Sequence, residues 1–176
     1  MSGSEEHDVD RVMVDIETLG LEPGASIISI GAVRFDTAGL GETFERSISL
    51  TSNEQAGMTI DAETVEWWVG QDAAASEQLV GGDRLGPVLR DFAQWFDDAD
   101  EVWANSPSFD CELLEAAYDA VGLEAPWDFY QERDYRTLSS LPVAADVEFD
   151  GVEHDALDDA KHQALVAAET LARLDE

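Results

Sequence analysis

Three runs rich in β-branched residues follow one another within the first fifty positions, joined by connections too short to hold a helix. They predict strands at Arg11–Thr18, Ala25–Phe35 and Glu42–Leu50, with a turn at Gly39–Gly41 before the third. Parallel neighbours need a long crossover connection, so consecutive strands with short loops pair antiparallel. The first part of the chain is therefore predicted to be an antiparallel meander.

The remainder of the chain changes to a helical period. A stripe of apolar residues with spacings of three and four marks Leu85–Phe96 as an amphipathic helix. The other patterns predict helices at Ala62–Val69 (capped by Asp61), Cys111–Val121, Arg136–Leu141 and Ala156–Leu174, and short strands at Val102–Ala104 and around Asp128–Tyr130. A meander followed by alternating elements predicts an α/β fold, in which helices flank a mixed central sheet in the ribonuclease H-like arrangement.

The charge of the chain is extreme. Nine lysines and arginines stand against 40 acids, which gives a net charge of −31. Disorder, an acidic protein-binding role and adaptation to molar salt are three interpretations of such a charge. Five tryptophans and seven phenylalanines in regular patterns argue against disorder. The acids are scattered through every segment, which favours a halophilic protein that molar KCl stabilises.

Length and composition bound the domain organisation. We expect an acidic tail at residues 1–10 and a single domain at residues 11–176. The one cysteine, Cys111, fits a reducing compartment. With no signal peptide and no run of about 18 apolar residues, we expect a cytoplasmic protein without a membrane partner.

Two carboxylates stand at the end of the first predicted strand. Asp15 and Glu17 are two positions apart, so both side chains point to the same face of the sheet. Carboxylates aimed together repel one another unless a cation lies between them. In a chain this acidic such a pair also arises by chance, and its place beside an apolar strand favours a ligand role.

Two further polar residues precede or begin the helix after Val102–Ala104. Pro107 disfavours a helical conformation at the residue before it, which predicts a tight strand-to-helix turn. Asp110 is either the cap of that helix or a ligand. Asn105 is either a turn residue or a residue that lines a cleft.

A histidine stands just before the last predicted helix. His154 is followed by three acids, Asp155, Asp158 and Asp159. Asp155 and Asp159 share a helical face, and Asp158 is rotated about 100° from Asp159. Helical geometry alone does not choose between Asp155 and Asp159, and all three also suit the positive end of a helix.

These segments resemble the motifs of the DEDDh exonucleases, the superfamily of RNase T and the proofreading exonucleases. "DIET" at Asp15 is similar to the first motif, "NSPSFDCELL" at Asn105 to the second and "HDALDDA" at His154 to the third. The histidine-to-aspartate spacing of that third motif selects Asp159. "TIDAETVEWWVGQ" and "RDYRTL" resemble segments of the DexA-like and mycobacterial exoribonuclease branch.

The resemblance implies a chemistry. Two divalent ions, Mg²⁺ or Mn²⁺, would be held by Asp15, Glu17, Asp110 and Asp159, and oxygen ligands suit those ions. His154 would be the general base that takes a proton from the attacking water. The activity implied is a 3′-5′ exonuclease that releases 5′-mononucleotides from single-stranded RNA or DNA.

Further residues are candidates for substrate contact. A helix cannot bury the adjacent Trp67 and Trp68 on one stripe, so one is core and the other can stack on a base. Of the two, we predict Trp68 as a substrate contact. The remaining candidates are Thr18, Leu19, Asn105, Phe109 and Arg136. Arg136 either approaches a phosphate or forms a structural ion pair with Asp134 or another acid. Leu19 either contacts the terminal bases or makes an ordinary apolar contact at the strand end.

Other functions stay open at this level. Within enzymes, DNA proofreading competes with RNA trimming, because discrimination at the 2′-hydroxyl depends on a few contacts. Outside enzymes, the rival is a catalytically silent acidic module that binds proteins. A homodimer is expected by analogy with relatives.

Overall fold

A five-stranded mixed sheet is the centre of the computed structural model, which describes residues 9–175. Three antiparallel strands form the predicted meander, and two short strands run parallel to the first. Their order across the sheet is β3-β2-β1-β4-β5. The strands are β1 (Arg11–Thr18), β2 (Ile27–Asp36), β3 (Gly39–Ser47), β4 (Glu101–Ala104) and β5 (Glu132–Asp134).

Within the described part of the chain, seven α-helices flank the sheet. Ala62–Val69, Leu85–Phe96 and Ala156–Leu174 have their predicted bounds, and Asp61 caps the first of them through the backbone N–H of Glu63. The helices are α1 (Leu50–Gln55), α2 (Ala62–Val69), α3 (Ala73–Glu77), α4 (Leu85–Phe96), α5 (Pro107–Ala120), α6 (Tyr135–Ser139) and α7 (Ala156–Leu174). Among residues 9–175, no helix combines the length and apolar character needed to cross a membrane.

The predicted turn at Gly39–Gly41 is wrong, because those residues belong to β3. The hairpin instead turns at Thr37 and Ala38, where the Asp36 carboxylate accepts the N–H groups of Ala38 and Gly39 at 2.7 and 3.1 Å. Such a side-chain acceptor stabilises a tight turn and lets the strand restart at once. β3 also ends at Ser47, so Leu50, predicted in the strand, begins α1.

Two more boundaries differ from the prediction. The strand expected around Asp128–Tyr130 is a 3₁₀ turn at Phe129–Gln131, and β5 follows it. The helix expected from Cys111 begins at Pro107, whose missing N–H costs nothing in the first helical position. It ends as predicted before Gly122, which has a φ of 71°.

The two faces of the sheet bury different surfaces. Val12, Val14 and Ile16 of β1 face the large apolar cluster formed with α4 and α5. Met13 and Val33 face the opposite side, where α7 packs through the small residues Ala160, Ala164, Ala167 and Ala168. Because these side chains are short, α7 lies close to the sheet on the face that carries Asp15 and Glu17.

The predicted tail at residues 1–10 lies mostly outside the described residues. Of it, Asp10 is described, and its backbone N–H donates to an Asp100 carboxylate oxygen at 2.9 Å. The boundary of the single domain therefore stays a prediction.

Candidate metal centre

Three carboxylates meet where β1 ends and α7 begins. Oxygens of Asp15, Glu17 and Asp159 all lie within 4.8 Å of one another, and all three residues are half-buried. Asp15 and Glu17 come from one strand face, and Asp159 comes from the first turn of α7. Three oxygens at this spacing can hold a divalent cation between them.

Gly31 of β2 allows α7 to reach this position. It pairs with Asp15 across the sheet, on the face that α7 covers. A Cβ at position 31 would lie 2.2 Å from both the Ala156 carbonyl carbon and the Leu157 nitrogen. The helix backbone therefore rests directly on the strand backbone, and only glycine fits there.

The three acids near His154 have three separate roles in the geometry. Asp155 caps α7 by accepting the Asp158 N–H at 3.0 Å. Asp158 accepts the Val152 N–H at 3.0 Å and the Lys161 ammonium at 3.5 Å, so it holds the preceding loop. Asp159 alone of the three joins the carboxylate group at Asp15.

Asp110 lies in the first turn of α5 and is buried. Its carboxylate accepts the Ser106 N–H at 3.4 Å, and its charge acts on Asp15. Burial raises the pKa of Asp110 to about 7, although backbone hydrogen bonds and the nearby Arg136 guanidinium lower it. Asp110 is thus an electrostatic neighbour of the group, outside its shared 4.8 Å cluster.

Ionisation of the cluster is unfavourable without a cation. Burial and then the charge of Asp15 raise the pKa of Glu17 to about 9. Burial is also the first cause of the raised pKa of Asp15 and of Asp159. Crowded, desolvated carboxylates with raised pKa values are the environment in which a divalent cation displaces protons.

His154 stands at the entrance to α7 in an unusual conformation. Its φ is 63°, a region that residues with a Cβ seldom occupy. The side-chain amide of Gln78, just after α3, donates to the His154 carbonyl at 2.8 Å. The imidazole meets the Trp67 ring edge to face, with centroids 4.9 Å apart. The α2–α3 segment therefore fixes both the backbone and the ring of His154.

A cleft of about 420 Å³ opens beside Glu17. Its apolar lining includes Leu21, Trp67 and Phe109, and Thr18 and Glu17 also line it. Leu21 is 68% exposed, whereas the predicted contact Leu19 is 1% exposed and packs in the core. The short connection after β1 thus presents Leu21 to the cleft and buries Leu19.

The adjacent tryptophans divide as expected, one to the core and one to the surface. Trp68 is 1% exposed, and its indole N–H donates to the Thr18 carbonyl at 3.0 Å. Trp67 is 44% exposed and lines the cleft. Although Trp68 also borders the cleft, burial favours Trp67 over the predicted Trp68 as the ring free to stack on a base.

Two predicted contacts lie on the other side of the cluster. Arg136 is the second residue of α6, and its backbone N–H donates to the Asn105 carbonyl at 3.3 Å. Its side chain is exposed, close enough to Asp110 to affect that carboxylate. Asn105 is half-buried between β4 and α5. Both residues therefore adjoin Asp110 rather than Asp159.

Sequence reasoning missed the residue that contacts Asp15 directly. The Gln163 side-chain amide donates to Asp15 Oδ1 at 3.0 Å, and its own Oε1 is buried without a partner among the described residues. Gln163 lies one helical turn beyond Asp159, so the spacing of four was the available signal. Gly31 and Gln78 were also missed, since only the folded chain brings them to the site.

Comparison with known proteins gives one family. The model of the 3′-5′ exoribonuclease Rv2179c-like domain matches residues 10–171. A curated relative, the PolC-type DNA polymerase III of Listeria innocua serovar 6a, is 28% identical over 118 residues. That match covers 66% of this chain and 7% of the polymerase, so the chain spans a small part of its length.

Solved structures share the fold. The nuclease domain of 3′hExo, a DEDDh family member bound to rAMP, aligns with a TM-score of 0.66 at 14% identity, covering 96% of this chain and 94% of that domain. S. pombe Pop2p with bound Mg²⁺ and Mn²⁺ aligns with a TM-score of 0.55 at 14% identity, covering 93% and 82%. The predicted ribonuclease H-like α/β fold is confirmed.

Proposed function

The chain belongs to the family of Rv2179c-like 3′-5′ exoribonuclease domains, and from that membership we propose that it is a metal-dependent 3′-5′ exonuclease of the DEDDh type. The observation that carries the proposal is the group of Asp15, Glu17 and Asp159, whose oxygens lie within 4.8 Å of one another inside the matched region. A catalytically silent acidic module would have no need to keep three desolvated carboxylates together.

The residues present fit divalent cations. Asp15, Glu17 and Asp159 supply hard oxygen ligands at one point, and Asp110 supplies another beside them. We propose that they would hold two ions, Mg²⁺ or Mn²⁺, at this cluster. Bound there, the ions would supply Lewis acidity toward the scissile phosphate and its attacking water. Gln163 would hold the Asp15 carboxylate in one orientation.

His154 is proposed as the general base. A neutral imidazole nitrogen would accept a proton from the attacking water, and the nearby Asp159 carboxylate would stabilise the imidazolium that forms. The ring contact with Trp67 and the carbonyl bond from Gln78 limit the motion of His154. Its orientation would thus be set before substrate binds.

The substrate proposed is a single strand with a free 3′ end. The terminal base would stack on Trp67, and Leu21 and Phe109 would enclose it in the cleft beside Glu17. Arg136 would approach the phosphate near Asp110. The product would be a 5′-mononucleotide. RNA is proposed before DNA, because the family is described as exoribonucleases.

The test is hydrolysis of 5′-labelled single strands of RNA and DNA, side by side. We expect one-nucleotide ladders that need Mg²⁺ or Mn²⁺, stop with EDTA and resume when the ion is restored. Asp159→Asn supplies the inactive control and Asp158→Asn the matched active one. Protein that cleaves neither strand with either ion would contradict the proposal.

A further inference from the structure

The positive side chains of this chain are few, and all lie in the described residues. Nine stand against 40 acids. A nuclease that grips a long strand needs lysines or arginines along the path of the phosphates. The position of each cation therefore limits how much of a strand can be bound. They are Arg11, Arg34, Arg46, Arg84, Arg90, Arg133, Arg136, Lys161 and Arg173.

Five of the nine are already paired with carboxylates. Glu101 pairs with both Arg11 and Arg133, at 3.1 and 3.0 Å. These two pairs lie at the end of the sheet where β1 begins, about 20 Å along the strand from Glu17. The other three pairs are Arg34 with Asp10, Lys161 with Asp158 and Arg173 with Glu169.

Three of the remaining arginines lie far from the carboxylates. Arg46 packs over the Phe44 ring, on the sheet face opposite Asp15. Arg84 and Arg90 border a cavity of about 320 Å³ together with Ala120, at the last turn of α5. Because Asp110 lies in the first turn of that helix, ten residues and about 15 Å separate the two places.

Arg136 is the remaining cation, and it stands beside the site. It makes no ion pair within residues 9–175, its side chain is exposed, and its charge reaches Asp110. A single guanidinium at this point can contact one phosphate, or two adjacent ones.

The cleft itself is built to exclude a phosphate. Its volume of about 420 Å³ suits one nucleoside, and its lining includes Asp61 and Glu63 in addition to Glu17. Carboxylates that line a cleft accept hydrogen bonds from hydroxyl and amino groups and repel phosphates. The cleft therefore suits a terminal nucleoside with free hydroxyls.

We propose that the enzyme engages only the last one or two nucleotides of a strand and releases the strand after each cleavage. The proposal rests on the exonuclease function proposed above. Its substrates are then defined by their 3′ ends, so oligonucleotides a few residues long are hydrolysed as readily as long strands. With one phosphate neutralised, the log–log salt slope of binding on a single strand is about −0.7.

The experiment measures kcat/KM for 5′-labelled RNA of three to twenty nucleotides, with Mn²⁺ fixed, at several KCl concentrations. We expect less than about a fivefold change across the lengths and a salt slope near −0.7. Excess unlabelled strand added after the start should stop further shortening of partly digested labelled strands. A fivefold or larger gain with length, or shortening that continues through the chase, overturns the proposal. Hydrolysis of no strand at all contradicts the exonuclease function instead.

Two arginine variants sharpen the result. Arg136→Gln should raise KM by a similar factor at every length and flatten the salt dependence. Arg90→Gln, a matched change at an exposed arginine with no ion pair in the described chain, should leave all lengths unchanged. If Arg90→Gln weakens only the long strands, then the cavity at the end of α5 binds RNA and the short footprint is wrong.

Discussion

The Gln163 side-chain amide donates to Asp15 Oδ1 at 3.0 Å, from a position one turn beyond Asp159 on α7. One helix thus supplies a carboxylate to the cluster and also orients a second carboxylate from the sheet. Within residues 9–175, the Gln163 Oε1 atom is buried without a hydrogen-bond partner.

Gln163→Ala should weaken Mn²⁺ binding by about 10- to 100-fold, the range found when a hydrogen-bonding partner of a metal ligand is removed. Titration calorimetry on the folded variant measures this directly. The matched change Gln94→Ala, at an exposed glutamine of α4, should leave affinity unaltered. Equal Mn²⁺ affinity in wild type and Gln163→Ala would show that the Gln163 amide only packs against its neighbours.

Asp159→Asn should abolish hydrolysis, and Asp155→Asn and Asp158→Asn should retain most of it. Asp159 lies with Asp15 and Glu17, whereas Asp155 caps α7 and Asp158 holds the loop at Val152. Asparagine caps helices about as well as aspartate, so Asp155→Asn should leave α7 intact. The measurement is the hydrolysis rate of each variant on one labelled strand. An inactive Asp158→Asn variant would mean that the ligand is Asp158, one position before the predicted residue.

The metal-free protein should lose stability as pH rises from about 4.5 toward 9. The pKa of Glu17 is raised from 4.5 to about 9 in the folded chain, so between these values the folded state binds more protons than the unfolded state. Stability then falls steadily with pH between these two values and levels off above about pH 9, where the carboxyl is ionised in both states. Melting temperatures of the EDTA-treated protein and of Glu17→Gln, over pH 5 to 9, test the assignment. A slope that Glu17→Gln leaves unchanged would assign the effect to other groups.

Gly31→Ala should destabilise the fold by about 1–3 kcal/mol, the usual cost of overpacking, and should lower activity further by moving α7. The added Cβ would lie 2.2 Å from backbone atoms of Ala156 and Leu157, which cannot rotate away. Gly41→Ala is the control, because a Cβ there meets its nearest atom, the Arg34 carbonyl oxygen, at 3.4 Å. Urea unfolding of both variants provides the comparison, and equal stabilities would mean that α7 adjusts freely.

His154→Ala should lower kcat by about 10²- to 10⁴-fold, the usual loss for a general base, and leave Mn²⁺ affinity intact. Gln78→Ala should lower kcat less, because the imidazole stays but its backbone loses the bond to the Gln78 amide. Gln55→Ala, at an exposed glutamine of α1, is the control. Loss of Mn²⁺ binding in His154→Ala would make the histidine a ligand.

Local patterns were sufficient for the fold class and for the acids that meet in the site. The strand period aimed Asp15 and Glu17 to one side, and the motif spacing separated Asp159 from its neighbours. Gln163 shares a helical face with Asp159, but that spacing does not reveal its partner Asp15, which lies 148 positions away. Gln78 has no such local signal, and its partner His154 lies 76 positions away. Leu21 and Leu19 are both apolar, so only the folded connection after β1 decides which of them is exposed.

The contact between Trp67 and His154 gives the cleft and the proposed general base a common wall. The indole lines the cleft proposed for the terminal base, and its ring also meets the imidazole edge to face. Part of the free energy of binding a base against Trp67 would therefore serve to align His154, the proposed proton acceptor. A substitution at Trp67 is therefore expected to change both the affinity for substrate and the turnover rate.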